Sequence, residues 1–219
     1  MNAVDRIREY TNAEHRMDAA IHVIGILFAI NASAWLLAHL SGPGSLIVSV
    51  SVYCVGLLAM IGMSAAYNLT PSHHPSKTVL RRLDHSAIFI MIAATYTPFA
   101  VNRLGHPMGT AILIAIWVGA TIGIAIKVLF PRRFERLSLA LYIGMGWLIV
   151  TALKPLFSSM AGIDLWLLLG GGVVYSAGIA FYTIERIPYH KAIWHAFVLA
   201  AAILQFASIA GEFSMISPS

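Results

Sequence analysis

Seven apolar runs divide the chain, at 19–40, 46–67, 85–104, 110–130, 137–154, 164–185 and 192–213. Each is roughly 18–23 residues long, enough for a helix to cross a hydrocarbon core of about 30 Å. The runs are continuous rather than alternating, so they predict helices and not the strands of a membrane barrel. Gly and Pro punctuate the connections: Gly42-Pro43-Gly44, Pro71 to Pro75, Gly105 to Pro107, Pro131 and Pro188. The pattern predicts an all-α integral membrane protein with seven transmembrane helices. It divides into a polar N-terminal segment at 1–18 and a seven-helix transmembrane domain at 19–213.

Composition supports this reading. Of 219 residues, 59% are hydrophobic and 11% charged, with a mean hydropathy of +0.81. A soluble domain carries about 25% charged residues. The apolar excess runs the whole length, which indicates one polytopic domain rather than a soluble domain with an anchor. The first 18 residues have no apolar centre, so they are expected to be mature sequence rather than a signal peptide. Residues 1–17 are expected to lie as an amphiphilic segment on the membrane surface. Cys54 is the only cysteine, which excludes an intrachain disulfide and a Cys-rich zinc site.

The net charge of +5 reads as a set of topology signals, not a nucleic-acid surface, because the basic residues flank apolar runs. Twelve of the 14 Lys and Arg fall in the N-terminal segment, in the connections after spans 2, 4 and 6, or, for Lys127, at the end of span 4 beside its connection; Arg103 and Lys154 fall on the other side. The positive-inside rule then places the N-terminus in the cytoplasm and the C-terminus outside. The expected location is a bacterial inner (plasma) membrane. The expected partners are membrane lipids, with no nucleic acid and protein partners unassigned.

This topology brings seven of the nine histidines to the cytoplasmic side. Polar residues collect at the same end of four spans: Asp18 and His22, Ser64 and Asn68, Asp84 and His85, Lys191 and His195. Three of these pairs are spaced i,i+4, which puts both members on one helix face. If spans 1, 2, 3 and 7 pack together, one polar pocket opens to the cytoplasm. A charge at that depth is costly unless it meets protein, water or a cation. Asp164, Glu185 and Glu212 lie near span ends and are expected to be solvated.

Four stretches carry a family resemblance: Asp18-x-x-Ile21-His22-x-x-Gly25; Ser64-x-x-Tyr67; Arg82-Leu83-Asp84-His85-Ser86 with Thr95-Tyr96-Thr97-Pro98-Phe99; and Ile193-Trp194-His195-x-Phe197-Val198. Together they resemble the haemolysin III family, within the wider group of progestin and adipoQ receptors. The resemblance implies a seven-helix fold with a cytoplasmic N-terminus. It also implies a zinc held by three histidines near the cytoplasmic face, with a Ser and an Asp beside it. Carried over by position, Ser64 and Asp84 match that Ser and Asp, the catalytic candidates, and His195 matches one metal ligand. Asn68 and Lys191 stand at the other two histidine positions.

An amide is a poor zinc ligand and a protonated lysine is none. The expectation is therefore a pocket without a cofactor, zinc with a rearranged ligand set being the alternative. Lys191 would supply the positive charge and pair with Asp84, Asn68 and Ser64 would hydrogen-bond the pair, and His195 would line it. Asp18, His22 and His85 complete the pocket. The function expected is a non-catalytic regulator of membrane state or a lipid- or ligand-binding protein. The alternatives are a zinc-dependent intramembrane hydrolase acting on a lipid amide, with Asp84 as base and Ser64 assisting, and a pore-forming haemolysin. No span carries the repeated polar face that a conduction path needs.

Overall fold

A computed structural model describes residues 11–184 and 186–214. Every regular element among the described residues is helical. The chain forms α1 (Asn12–Ala38), α2 (Gly44–Leu69), α3 (Lys77–Asn102), α4 (Met108–Leu129), α5 (Glu135–Gly146), a 3-10 turn (Leu148–Ala152), α6 (Leu153–Ser159), α7 (Gly162–Thr183) and α8 (His190–Phe213). α5, the 3-10 turn and α6 together make the fifth span, so the seven apolar runs become seven crossings of an integral membrane protein.

α1 starts earlier than the apolar run that marks it. Thr11 caps it: the Glu14 backbone N–H donates to Thr11 Oγ1, and the Glu14 carboxylate accepts from the Thr11 backbone N–H. This reciprocal box satisfies two donors that a helix start leaves open. Residues 12–18 are therefore helical and continuous with the first membrane helix. The surface segment expected at 1–17 lies mostly in residues 1–10, outside the described residues.

Six crossings are apolar enough to be recognised by length and hydropathy alone. α3 differs, because Lys77, Arg81, Arg82 and Asp84 occupy its first turns. It is nonetheless the most enclosed, with nearly every residue from Ser86 to Ala100 buried or half-buried. α3 packs between α2 and α4 and reaches α5, while α1 packs against α2 and α8, and α8 against α7. Trp147, at the end of α5, donates to Ser176 Oγ of α7 at 3.0 Å. The helices thus form a closed ring. Its outer face presents Val23, Ile24, Leu27 and Ile30 of α1 and Ile114, Val118 and Ile122 of α4, as hydrocarbon requires.

Two glycines set how close the helices of this ring come. A Cβ on Gly56 of α2 would press on Ala94 of α3, and one on Gly123 of α4 would enter the Phe89 ring of α3. Phe89 is fully buried there.

The fifth span is broken where the sequence suggests a continuous helix. α5 stops at Gly146, and the backbone tightens into the 3-10 turn. Tyr96 of α3 repairs the break: its hydroxyl donates to the Gly146 carbonyl at 2.9 Å and accepts from the Ile149 N–H at 2.7 Å. Freed backbone groups at membrane depth need such partners. The far end of the bundle also departs from expectation. Asp164 and Glu212 are buried rather than solvated. Glu212 pairs with Arg103 of α3 and accepts from the Ala161 N–H at 3.3 Å, joining α3, α7 and α8. Glu185 lies outside the described residues.

Candidate functional site

The polar ends of α1, α2, α3 and α8 meet at the basic end of the bundle. The first turn of α1 is fastened to the start of α8, since Glu14 Oε1 accepts the Tyr189 N–H at 2.8 Å. Tyr189 has a left-handed backbone, φ 60°, which turns the chain into α8. Asp18 and His22 follow Glu14 at intervals of four and so share its face of α1. His195 lies five residues into α8.

Asp18 and His195 meet. Asp18 Oδ1 accepts from His195 Nδ1 at 2.6 Å. The His22 ring stands edge-on to that of His195, with centroids 4.4 Å apart and an interplanar angle of 86°. His22 Nδ1 donates to the Asp18 backbone carbonyl at 3.0 Å and lies 3.9 Å from Asp18 Oδ1. On the opposite side of His195, Asn68 Nδ2 approaches Nε2 at 3.5 Å and donates to the Ser64 carbonyl at 3.0 Å. The Ser64 hydroxyl lies 3.4 Å from Asn68 Nδ2.

Asp84 enters from α3. The groups that act on its charge are His195, Ser64, Arg81 and Lys77. His85, the next residue, turns to another wall, where its electrostatic neighbours are Arg81, Lys127 and Glu135. Its backbone carbonyl accepts from Tyr142 of α5 at 2.8 Å. Glu135 in turn binds Arg81 at 3.0 Å and Lys127 at 2.5 Å, tying α3, α4 and α5 together. Lys191 is exposed on the first turn of α8, and its charge acts on Asp18.

These residues line one end of a cavity of about 860 Å³ enclosed by the ring. Along α3 the wall runs from Asp84 through Ile88, Met91 and Ile92 to Phe99, and along α8 from His190 to Gln205. Fifteen residues of helix span roughly 22 Å at 1.5 Å each. Met60, Ile61, Leu168, Leu169 and Tyr175 face the same space. The cavity is polar at the basic end and largely apolar beyond. A second cavity, of about 660 Å³, lies on the other side of Asp18 and shares Tyr67, Asn68 and Lys191 with the first.

The sequence grouped all eight of these residues in one pocket. Seven line the main cavity, and Asp18 lines the second one while bonding into the first through His195. The Asp18–His195 pair was not foreseen; the i,i+4 spacing of Asp18 and His22 was its only signal. The three-histidine zinc set does not fit. Asn68 directs its amide nitrogen, a donor, at His195, and Lys191 is a cation. Among the described residues, the ligand-type side chains that do converge are Asp18, His22 and His195, whose ligand atoms lie within 4.8 Å of one another.

Comparison with known proteins agrees with this architecture. Residues 10–206 match the family described as haemolysin-III related. The chain is 41% identical over 196 residues to hemolysin-3 of Bacillus cereus, covering 88% of this chain and 89% of that one. It is 39% identical over 199 residues to the hemolysin-3 homolog of Bacillus subtilis (strain 168), covering 90% and 93%. The monocyte to macrophage differentiation factor of Homo sapiens is 30% identical over 208 residues, covering 90% of this chain and 83% of its own. With a helical membrane fold, a polar cluster at one end and near-full-length similarity to these proteins, the chain belongs to the haemolysin III family.

Proposed function

We propose that this protein is a non-catalytic membrane regulator that binds a single-chain amphiphile in the central cavity. The observation that carries the reading is the cavity's polarity: over a depth of roughly 22 Å, hydrogen-bonding groups gather at one end and the wall beyond them is largely apolar. Its volume falls in the range of about 300–1,000 Å³ usual for ligand sites. A polar head would meet Ser64, Asn68, Asp84 and His195, and a chain would lie along Ile88, Met91, Ile92 and Leu169. The proposed location is a bacterial plasma membrane, with lipids as the partners.

The test is to purify the full chain in mild detergent, weigh it intact by native mass spectrometry and identify the retained lipid. A stoichiometric single-chain lipid is expected. It should be absent from Leu169→Trp, which fills the sleeve away from the polar end. Parent protein without retained lipid, or equal retention by the variant, overturns the reading.

A hydrolase of lipid amides is the second reading. It is favoured by one contact, the oriented imidazole of His195 on Asp18, next to Ser64 and Asp84. Such an imidazole is suited to proton transfer. Release of fatty acid from a reconstituted lipid amide, lost in Asp84→Asn, would replace the first reading with this one. The hemolysin names of the bacterial relatives suggest a pore. The cavity's apolar sleeve argues against a conduction path for ions through this bundle.

A further inference from the structure

The wall of the central cavity carries six charged side chains, Arg81, Lys127, Arg136 and Lys191 against Asp84 and Glu135. Four cations against two acids leave the wall at +2 with its histidines neutral. Three of the cations stand where α3, α4 and α5 meet. There Glu135 is engaged twice, by Lys127 Nζ at 2.5 Å and by Arg81 Nη2 at 3.0 Å. One carboxylate offsets only one of these two charges. Asp84, the other acid, has Lys77 and Arg81 acting on it beside His195. Arg136 follows Glu135 in the first turn of α5 and lines the same cavity. It makes no hydrogen bond or ion pair among the described residues.

This corner also holds donors that the bundle does not use. A guanidinium offers five N–H groups. Arg81 directs one at Glu135, and Arg136 directs none at the protein. Tyr182 of α7 stands within electrostatic reach of Glu135, Arg81 and Asp84. Its hydroxyl makes no hydrogen bond among the described residues. Two planar forks and a phenol, with positive charge in excess, suit the oxygens of a phosphate. A phosphate monoester carries about −1.5 to −2 at neutral pH, which matches the surplus on the wall better than the single charge of a carboxylate. From this corner a chain can run past Ile88 and Ile92 of α3 and Leu139 and Ile143 of α5, all on the cavity wall.

We propose that Arg81, Arg136 and Tyr182 bind the phosphate monoester of a single-chain amphiphile whose apolar chain lies in the central cavity. The proposal rests on the amphiphile reading and names the head group of its ligand. The phosphate takes the α3–α5 corner, and the hydroxyl-bearing part of the head faces Ser64 and Asn68 across the same end of the cavity. Lys127, only 4% exposed, holds Glu135 and so keeps that carboxylate from occupying both arginines.

The test compares probes of one acyl length on the full-length protein in nonionic detergent, by titration under native mass spectrometry. The probes are lysophosphatidic acid, the free fatty acid and the monoacylglycerol, with glycerol phosphate as a head without a chain. Lysophosphatidic acid is expected to bind about tenfold or more tighter than the other two lipids, the value of a charge-assisted hydrogen bond. Glycerol phosphate should bind far more weakly than any of them. Arg136→Gln, which breaks no contact within the protein, should abolish the preference and leave monoacylglycerol binding unchanged. Arg132→Gln, an exposed arginine that does not line the cavity, should keep the preference. Equal affinity for lysophosphatidic acid and either other lipid overturns this proposal alone, as does an undiminished preference in Arg136→Gln. Glycerol phosphate binding as tightly as the lipid also overturns it, since the site would then serve a soluble phosphate. Failure of all three lipids to bind overturns the amphiphile reading, and this proposal with it.

Discussion

Glu14 accepts the backbone N–H of Tyr189 at 2.8 Å, although the two residues stand at opposite ends of the sequence. Glu14 is 3% exposed. The same carboxylate closes the capping box at the start of α1. One side chain therefore starts the first helix and fixes its height against the last. Asp18 lies a turn further along, so this contact sets whether Asp18 reaches His195.

Glu14→Ala removes both bonds. A hydrogen bond to a charged group is worth about 1.5–3 kcal/mol, and a cap alone about 1 kcal/mol. The unfolding midpoint in detergent should fall several times further for Glu14→Ala than for Thr11→Ala, which loses only part of the box. Equal shifts would mean that the link to Tyr189 carries no load.

The repair of the fifth span by Tyr96 gives a second expectation. Tyr96→Phe keeps the ring and removes the hydroxyl, leaving the Gly146 carbonyl and the Ile149 N–H without their shared partner. Each unsatisfied buried group costs about 1–3 kcal/mol. The variant should be destabilised and should exchange backbone hydrogen faster around 146–149 than the parent. Unchanged exchange there would show that the break is satisfied in another way.

Most of the architecture was legible because hydrophobic run length is set by bilayer thickness. The limits 110–130 and 192–213 fall within two residues of α4 and α8. What the pattern did not reveal depends on contacts between distant segments. The apolar run at 137–154 looks continuous, since the break within it is stabilised by Tyr96 from another helix. Asp164 and Glu212 looked like solvated ends because burial comes from Arg103 and from the packing of α7 on α8. In the pocket, spacing put Asp18 and His22 on one face but could not show that His195 would close on Asp18.

The ion pair at the far end carries its own prediction. Arg103 is partly exposed, whereas Glu212 is buried beside Asp164. Arg103→Met would leave two carboxyl groups together without their cation. Removing one partner of a buried pair costs about 3–5 kcal/mol, and the exposure of Arg103 reduces this to roughly 1–3 kcal/mol. Much of the loss should return in Arg103→Met with Glu212→Gln, because the uncompensated charge is gone. A double variant as unstable as the sum of the singles would show that the two residues act independently.

The packing of α4 on α3 allows the sharpest test, because both partners are known. Phe89 fills the space that a side chain on Gly123 would need. Gly123→Ala raises helix propensity by about 1 kcal/mol, so on propensity alone it would stabilise the protein. Overpacking costs about 1–3 kcal/mol. Phe89 is fully buried, and its ring lies 4.3 Å from that of Tyr142, so it has little room to move and the clash should win. Gly123→Ala is then expected to lower the unfolding midpoint. Phe89→Leu, which trims the ring, should be destabilising alone but should make Gly123→Ala nearly neutral or favourable in its background. The interaction energy from the four proteins should be of opposite sign to the single losses, at about 1 kcal/mol or more. Strict additivity would mean that the helices separate to admit the methyl group, and that Gly123 does not set their spacing.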